Sequence, residues 1–108
     1  AIPMAFRQEV ECGSAVILST IDGGGVHEYD IEIERINLLD MTGSKSMVIK
    51  ITDPELIEKT GGIVRGMSGS PIIQNGRLVG AVTHVLINDP TRGYAVFAES
   101  MAEQLLQQ

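Results

Sequence analysis

Stretches in which apolar and polar residues alternate run through the chain and predict short β-strands. The clearest is 28–36, where Tyr29 and Ile31 alternate with acidic residues, and a period of two gives one buried and one solvated face. The apolar run 15–20 precedes it across a glycine-rich turn at 22–25. Because Asp-Gly between two strand patterns is a strong turn signal, we predict a hairpin here.

The second half of the chain carries another hairpin signal. Asn75 and Gly76 form the residue pair that a type I′ turn prefers, and strand patterns flank them on both sides. Residues 88–93 are rich in turn formers and predict a loop, whereas 1–11 is extended in character. The remaining predicted strands are Met47–Ile51, Pro71–Gln74, 77–85 and 94–97.

Two short helices complete the pattern. Residues 54–59 follow Thr52 and Asp53, either of which can serve as the N-cap, with Pro54 in the first turn. From 99 to 108 apolar residues recur at helical spacing, so the chain is predicted to end in a helix. Six or so short strands with a terminal helix predict a mainly β domain, built as a small barrel or a sandwich.

Composition narrows the class of protein. The chain has 108 residues, 44% of them hydrophobic, which suits one packed domain and leaves no room for two. The net charge of −6 argues against a nucleic-acid partner, because nothing would displace the counterions of a phosphate backbone. One cysteine, Cys12, excludes an internal disulfide. With one cysteine and two distant histidines, His27 and His84, we expect neither a metal nor a cofactor.

No apolar run in the sequence reaches membrane-spanning length. The chain starts at Ala-Ile-Pro, which leads us to expect a piece of a longer protein.

The loop 66–71, Gly-Met-Ser-Gly-Ser-Pro, is the segment best suited to chemistry. Serine becomes a nucleophile when a nearby base takes its proton, and the oxyanion that forms needs two converging backbone N–H donors. Gly66 would let its own N–H and that of Ser68 converge, and Gly69 would leave room for a substrate. With the Asn-Gly hairpin behind it, the loop resembles the nucleophile region of chymotrypsin-fold serine peptidases. The alternative is that Ser68 and Ser70 are ordinary turn residues.

A narrower resemblance, dense from about residue 47 to residue 97, is to the SpoIVB peptidases, which are serine peptidases of endospore-forming bacteria. The segments that carry it are 52–54 (Thr-Asp-Pro), 59–64, 66–72, 82–85 and 88–91. The resemblance implies the second barrel of a chymotrypsin-like fold. It also implies Ser68 as the nucleophile, the N–H groups of Gly66 and Ser68 as the oxyanion hole, and Asp53 as the catalytic acid. Asp53 has an alternative role as the cap of the helix at 54–59.

The resemblance also implies a substrate, a location and missing parts. In that family the protein is exported into the space between forespore and mother cell. There it cuts itself and then a regulatory membrane protein, which leads to activation of a sigma factor. The substrate is expected to lie along Thr83, His84 and Val85. The family's catalytic histidine lies upstream, in a Gly-His segment that these 108 residues do not contain. We expect the family's first barrel, PDZ domain and membrane anchor to be absent from this chain as well. His84 is the nearest candidate base, but it is expected in the wall of the substrate cleft.

The sequence is therefore compatible with two functions. In the first, the chain is the C-terminal part of a serine peptidase, which pairs with a first barrel and is inactive without it. In the second, the chain is a non-catalytic interaction module, which offers sheet edges or an apolar face to a protein partner or to a second copy in a homodimer.

Overall fold

Six antiparallel strands close into a barrel in the computed structural model, which describes residues 2–20, 25–37, 45–63, 67–86 and 88–106, with side chains up to residue 102. The strands are β1 (Gly13–Ser19), β2 (His27–Ile36), β3 (Met47–Ile51), β4 (Pro71–Gln74), β5 (Arg77–Leu86) and β6 (Asp89–Phe97). Their order around the barrel is β1-β2-β3-β6-β5-β4, and β4 pairs with β1 to close it. A 3₁₀ turn (Arg7–Glu9) precedes β1, helix α1 (Pro54–Thr60) lies between β3 and β4, and helix α2 (Ala98–Leu106) follows β6. The predicted small β-barrel with two helices is confirmed, and most element bounds differ from prediction by a residue or two.

Both predicted hairpins are present. β1 and β2 pair along all of β1, as far as Ser19 opposite His27, while residues 22–24 of the predicted turn lie outside the described residues. Between β4 and β5, Asn75 has a φ of 53° and Gly76 a φ of 74°. A type I′ turn requires this left-handed backbone at both positions. The Asn-Gly pair therefore sets the point at which the chain reverses.

Aliphatic side chains fill most of the barrel interior. On β2, Tyr29, Ile31 and Ile33 are buried while the residues between them are exposed, as the alternation predicts. The largest fully buried side chains are Phe97, Ile17, Ile31, Ile33, Met47, Ile49, Ile51, Leu56, Met67, Ile72, Val79 and Val82. Since burying one side chain of this size contributes about 1.5–3 kcal/mol, the barrel core is a main source of stability.

One prediction from composition is wrong. The turn-forming residues at 88–93 predict a loop, but all of them except Asn88 belong to β6. Gly93 is needed for packing and not for a turn, because a Cβ there would lie 2.5 Å from the carbonyl oxygen of His84. The predicted strand at 94–97 is therefore only the second half of a longer strand, whose first half packs closely against β5.

Strand direction assigns each loop to one of the two ends of the barrel. All paired strands are antiparallel, so β1, β3 and β5 run in one direction and β2, β4 and β6 in the other. One end, which we call the site end, therefore carries the segments that follow β1, β3 and β5 and those that precede β2, β4 and β6. Asp53 and Ser68 both lie at the site end. Helix α2 and the N-terminal segment lie at the opposite end.

The N-terminal segment is attached to β5 and α2 at that opposite end. The Ala5 N–H donates to the carbonyl oxygen of Leu78 at 2.9 Å, and the Leu78 N–H donates to that of Pro3 at 2.8 Å. Arg7 is buried, and its Nε donates to Glu99 Oε1 of α2 at 2.6 Å. The hydrogen bond from Arg7 lowers the pKa of the Glu99 carboxyl.

Acid should remove part of the stability of the chain through Glu99. A carboxyl whose pKa is lowered by folding stabilises the fold fully above its ordinary pKa, and this contribution is lost as the pH falls through the lowered value. In urea unfolding we expect Glu99→Gln to lower the free energy of unfolding by about 1 kcal/mol at neutral pH and by much less at about pH 3. The control is Glu58→Gln on α1, an exposed position. A loss of equal size at both pH values would contradict this role of Glu99.

Candidate active site

The Gly-Ser loop before β4 is held against β5 at the site end. The exposed Ser68 donates its hydroxyl hydrogen to the carbonyl oxygen of Thr83, with the two oxygens 3.3 Å apart. The Gly69 N–H donates to the Val82 carbonyl oxygen at 2.7 Å, and the Val82 N–H donates to the Ser70 carbonyl oxygen at 3.0 Å. These backbone bonds extend the β4–β5 pairing into the loop, so the barrel fixes the position of Ser68.

The two serines of the loop differ in exposure. Ser68 faces solvent, whereas Ser70 is buried, with its Oγ 3.5 Å from the Oγ of Ser19. Met67 is buried and anchors the loop in the core, and Gly69 has a φ of 89°, a conformation that favours glycine. Of the two serines, Ser68 is therefore the one that a substrate can reach.

The predicted oxyanion hole falls partly outside the described residues. Gly66 lies outside them, as do residues 64 and 65. Ser68, the other predicted donor, is described. The convergence of the Gly66 and Ser68 N–H groups therefore stays a prediction.

Asp53 caps helix α1. Its Oδ1 accepts hydrogen bonds from the N–H groups of Glu55 at 3.0 Å and Leu56 at 3.4 Å, and its Oδ2 accepts one from the N–H of Asp30 in β2 at 3.0 Å. The N-cap is thus Asp53 and not Thr52, and the same carboxylate ties α1 to β2. A carboxylate has about four lone-pair sites, so these bonds leave room for one more donor on Oδ2.

Asp53 and Ser68 lie at the same end of the barrel but not side by side. Asp53 follows β3 and contacts β2, whereas Ser68 precedes β4 and contacts β5. Around the barrel, β1 lies between β2 and β4 on one side, and β6 lies between β3 and β5 on the other, so one strand separates the two residues in either direction. The chain between them passes over the start of β6, where the Ile63 N–H donates to the Pro90 carbonyl oxygen at 2.7 Å. Gly62 makes this crossing possible, because a Cβ there would lie 2.2 Å from the same oxygen.

The predicted substrate-binding residues lie where β5 continues past the Ser68 loop. β4 pairs with β5 as far as Ala81, and Thr83 then accepts the bond from Ser68. The next two residues, His84 and Val85, are exposed. An extended segment of another chain laid along this part of β5 would therefore meet Ser68.

Two contacts near the predicted site residues have no signal in the sequence pattern. The first is the contact between the hydroxyls of Ser19 and Ser70, which joins β1 to the loop. The second is the position of Lys45, whose ammonium lies 5.2 Å from the centre of the Tyr94 ring, beside His84. Both join segments that are far apart along the chain, so they follow from the order of strands in the barrel, which the sequence pattern does not supply.

Among the residues whose side chains are described, no three His, Cys, Asp or Glu residues are grouped so that they could hold a metal ion. In the described part of the chain, no helix has both the length and the apolar character needed to cross a membrane.

A closed six-stranded antiparallel barrel, with an exposed serine in a Gly-Ser loop held against β5, defines the fold class: a chymotrypsin-like barrel. The family follows from the sequence. The SpoIVB peptidase S55 family model matches residues 1–102, so the chain belongs to this family. The predicted fold type and the predicted family are both confirmed. A comparison with curated proteins finds no match.

Solved structures with the same fold include three crystal structures of the Rv3671c protease from M. tuberculosis. The active form has a TM-score of 0.68 and 23% identity, over 97% of this chain and 46% of that chain. The inactive form has a TM-score of 0.69 and 22% identity, over 98% and 54%. An inactive serine-to-alanine mutant has a TM-score of 0.70 and 21% identity, over 98% and 52%. This chain thus spans about half the length of these structures, and at this identity the likeness shows the fold.

Proposed function

We propose that this chain is the nucleophile-bearing barrel of a serine endopeptidase, with Ser68 as the nucleophile. The observation that carries the proposal is the exposed Ser68 hydroxyl on a loop that two backbone hydrogen bonds hold against β5. Membership of the SpoIVB peptidase family supports it. The burial of Ser70, the other serine of the loop, supports the choice of Ser68.

The proposed reaction is acyl transfer to serine followed by hydrolysis. Ser68 Oγ attacks the scissile carbonyl carbon while a base takes its proton, and the N–H groups of Gly66 and Ser68 stabilise the oxyanion. The C–N bond then breaks, the base protonates the leaving amine, and water releases the acyl group by the reverse steps. In the resting chain the Ser68 hydroxyl donates to Thr83, so the approach of the base must redirect this proton. Asp53, as the proposed acid, would orient the base.

The base is proposed to come from the upstream part of the family's peptidase domain. The two histidines of this chain are His27 and His84. His84 is exposed on β5 opposite Tyr94, beside the strand position proposed for the substrate, and His27 begins β2 opposite Ser19. A histidine from a first barrel, seated against the site end, would complete the site.

The isolated chain should therefore label slowly with a serine-directed fluorophosphonate. We expect labelling to be at least about 10³-fold slower than for the same chain joined to the upstream half of a SpoIVB peptidase, because loss of the base removes the activation of the serine. Measuring labelling rates on both proteins checks this. Rapid labelling of the chain alone that disappears in Ser68→Ala would instead place a working base within this chain or its dimer, and His84→Ala would then be tested.

The proposed substrate binds as an added strand. A peptide in extended form would lie antiparallel to β5, beside Thr83, His84 and Val85, with its scissile carbonyl at Ser68. Because β5 runs away from Ser68 toward Leu86, an antiparallel peptide arrives from that end. The residues before its scissile bond therefore lie beside His84 and Val85.

The biological role is proposed from the family alone. We propose an exported protein of an endospore-forming bacterium that acts between forespore and mother cell. It would cut itself and then a regulatory membrane protein, and so trigger activation of a sigma factor. The complete peptidase should then shorten during incubation, whereas its Ser68→Ala variant should stay intact unless active enzyme is added. A variant that still shortens by itself would contradict self-cleavage by Ser68.

A second candidate function is a non-catalytic interaction module, and the N-terminal segment favours it. Ile2, Met4 and Phe6 are 51%, 37% and 56% exposed, at alternate positions of one extended segment. The barrel is closed, so this apolar stripe is a better candidate surface than a sheet edge. Its partner would be a first barrel or a second copy of the chain. A monomeric mass at micromolar concentration by size-exclusion chromatography with light scattering would exclude the homodimer.

A further inference from the structure

A groove on the outside of the barrel runs beside the part of β5 that continues past Ser68. It has a volume of about 430 Å³ and is lined by Lys45, His84, Val85, Leu86 and Tyr94. Lys45 precedes β3, Tyr94 belongs to β6, and the others belong to β5. The volume falls within the range of sites that hold small molecules, so one amino-acid side chain fits easily.

The groove begins one residue beyond the Ser68 contact. Ser68 bonds to the carbonyl oxygen of Thr83, and the lining on β5 extends from His84 to Leu86. A peptide that runs antiparallel to β5 passes Leu86 before it reaches Thr83. With a rise of about 3.3 Å per residue, the groove faces the second to fourth residues before the scissile bond.

The groove is cationic although the chain is acidic. The net charge of the chain is −6, yet none of the five described residues that line the groove is Asp or Glu, and Lys45 contributes an ammonium group. This ammonium lies 5.2 Å from the centre of the Tyr94 ring, a distance at which a cation is attracted to the ring face. The positive charge is thereby held at the wall of the groove. A single charge placed in this way selects the opposite charge in a ligand.

We propose that the groove is a specificity pocket for an acidic side chain, Asp or Glu, at the second to fourth residue before the scissile bond. The inference rests on the proposed peptidase function and names the substrate class that the enzyme prefers. Lys45 pairs with the carboxylate, while Tyr94 and Leu86 contact its methylene groups.

Cleavage of matched peptides by the complete peptidase tests the pocket. Cleavage sites are first found in a mixed peptide library by mass spectrometry, and peptides with Glu or Gln at each position before the bond are then compared. We expect kcat/KM about fivefold higher for Glu than for Gln at one of the three positions. The ratio should fall to about one in Lys45→Gln and below one in Lys45→Glu. Lys50→Gln on β3, outside the groove, should keep the wild-type ratio.

A binding measurement separates this inference from the proposed function. The Ser68→Ala variant of the chain is titrated with the same peptide pairs and followed by the NMR shifts of the amides of residues 83–86. Binding about fivefold tighter for Glu than for Gln, lost in Lys45→Gln, supports the pocket. Equal binding of both peptides along β5 overturns the pocket and leaves the peptidase proposal intact. No cleavage of any peptide by the complete enzyme overturns the peptidase proposal itself, and no binding along β5 overturns the pocket.

Discussion

Replacing Ser68 with alanine in the complete peptidase is expected to reduce peptide cleavage by about 10⁴- to 10⁶-fold and to abolish fluorophosphonate labelling. The reason is chemical. The proposed mechanism passes through a covalent bond to Ser68 Oγ, and no other exposed side-chain oxygen of the described loop can replace it. The change should cost little stability, because the hydroxyl is exposed and makes one long hydrogen bond of 3.3 Å. The measurements are kcat/KM, labelling, and the urea midpoint of each variant.

Ser70→Ala is the matched control, since Ser70 lies in the same loop two residues away. Its side chain is buried and lies 3.5 Å from the Oγ of Ser19, while its backbone makes the bonds that hold the loop. Alanine keeps these backbone bonds, so we expect cleavage within about tenfold of wild type and a stability loss of about 1 kcal/mol. If Ser70→Ala abolished labelling and Ser68→Ala did not, the nucleophile would be Ser70 and the proposed reaction geometry would be wrong.

The strands and turns were predictable wherever the signal is local. The alternation on β2 follows from residues two apart, and the reversal at Asn75 and Gly76 follows from two residues that tolerate positive φ. The loop predicted at 88–93 was wrong because proline and glycine usually indicate a turn. Their role in a strand becomes visible only when the packing against the neighbouring strand is known. Gly93 is required by the carbonyl oxygen of His84, a contact between two strands that no local pattern contains.

The candidate site divides in the same way. Ser68 could be selected as the candidate nucleophile from the sequence because the Gly-Ser loop is a continuous motif of six residues. Lys45 was not, because its contact with Tyr94 depends on the pairing of β3 with β6, which places Val48 opposite Tyr94. The acid role proposed for Asp53 comes from the family resemblance, whereas its bond to the Asp30 N–H could be seen only in the structure. Side chains that belong to one continuous loop can be predicted from the sequence pattern. Side chains that come together only when the barrel closes cannot.

Asp53 is the residue for which two roles make opposite predictions, so its variants carry the second large effect. As a cap, it accepts hydrogen bonds from the N–H groups of Glu55, Leu56 and Asp30. As the proposed acid, it would also accept the ring N–H of the base. Asn caps helices about as well as Asp, whereas Ala does not. Asp53→Ala should therefore lower the free energy of unfolding by about 2 kcal/mol, because both the cap and the bond from Asp30 are lost. Asp53→Asn should lower it by about 1 kcal/mol, because its amide oxygen keeps the cap while its NH2 group cannot accept the Asp30 N–H.

Cleavage, unlike stability, should fall strongly in Asp53→Asn. An amide in place of the acid no longer stabilises a positively charged base or holds it in the right tautomer, and such a change costs about 10⁴-fold in rate. We therefore expect Asp53→Asn to stay folded, with only the modest loss of stability given above, and to lose about this factor in kcat/KM when placed in the complete peptidase. The control is Asp30→Asn, because Asp30 takes part in the cap through its backbone N–H and its side chain is exposed. If Asp53→Asn cleaved peptides at the wild-type rate while Asp53→Ala was destabilised, capping would be the whole role of Asp53. The acid would then have to come, like the base, from outside this barrel.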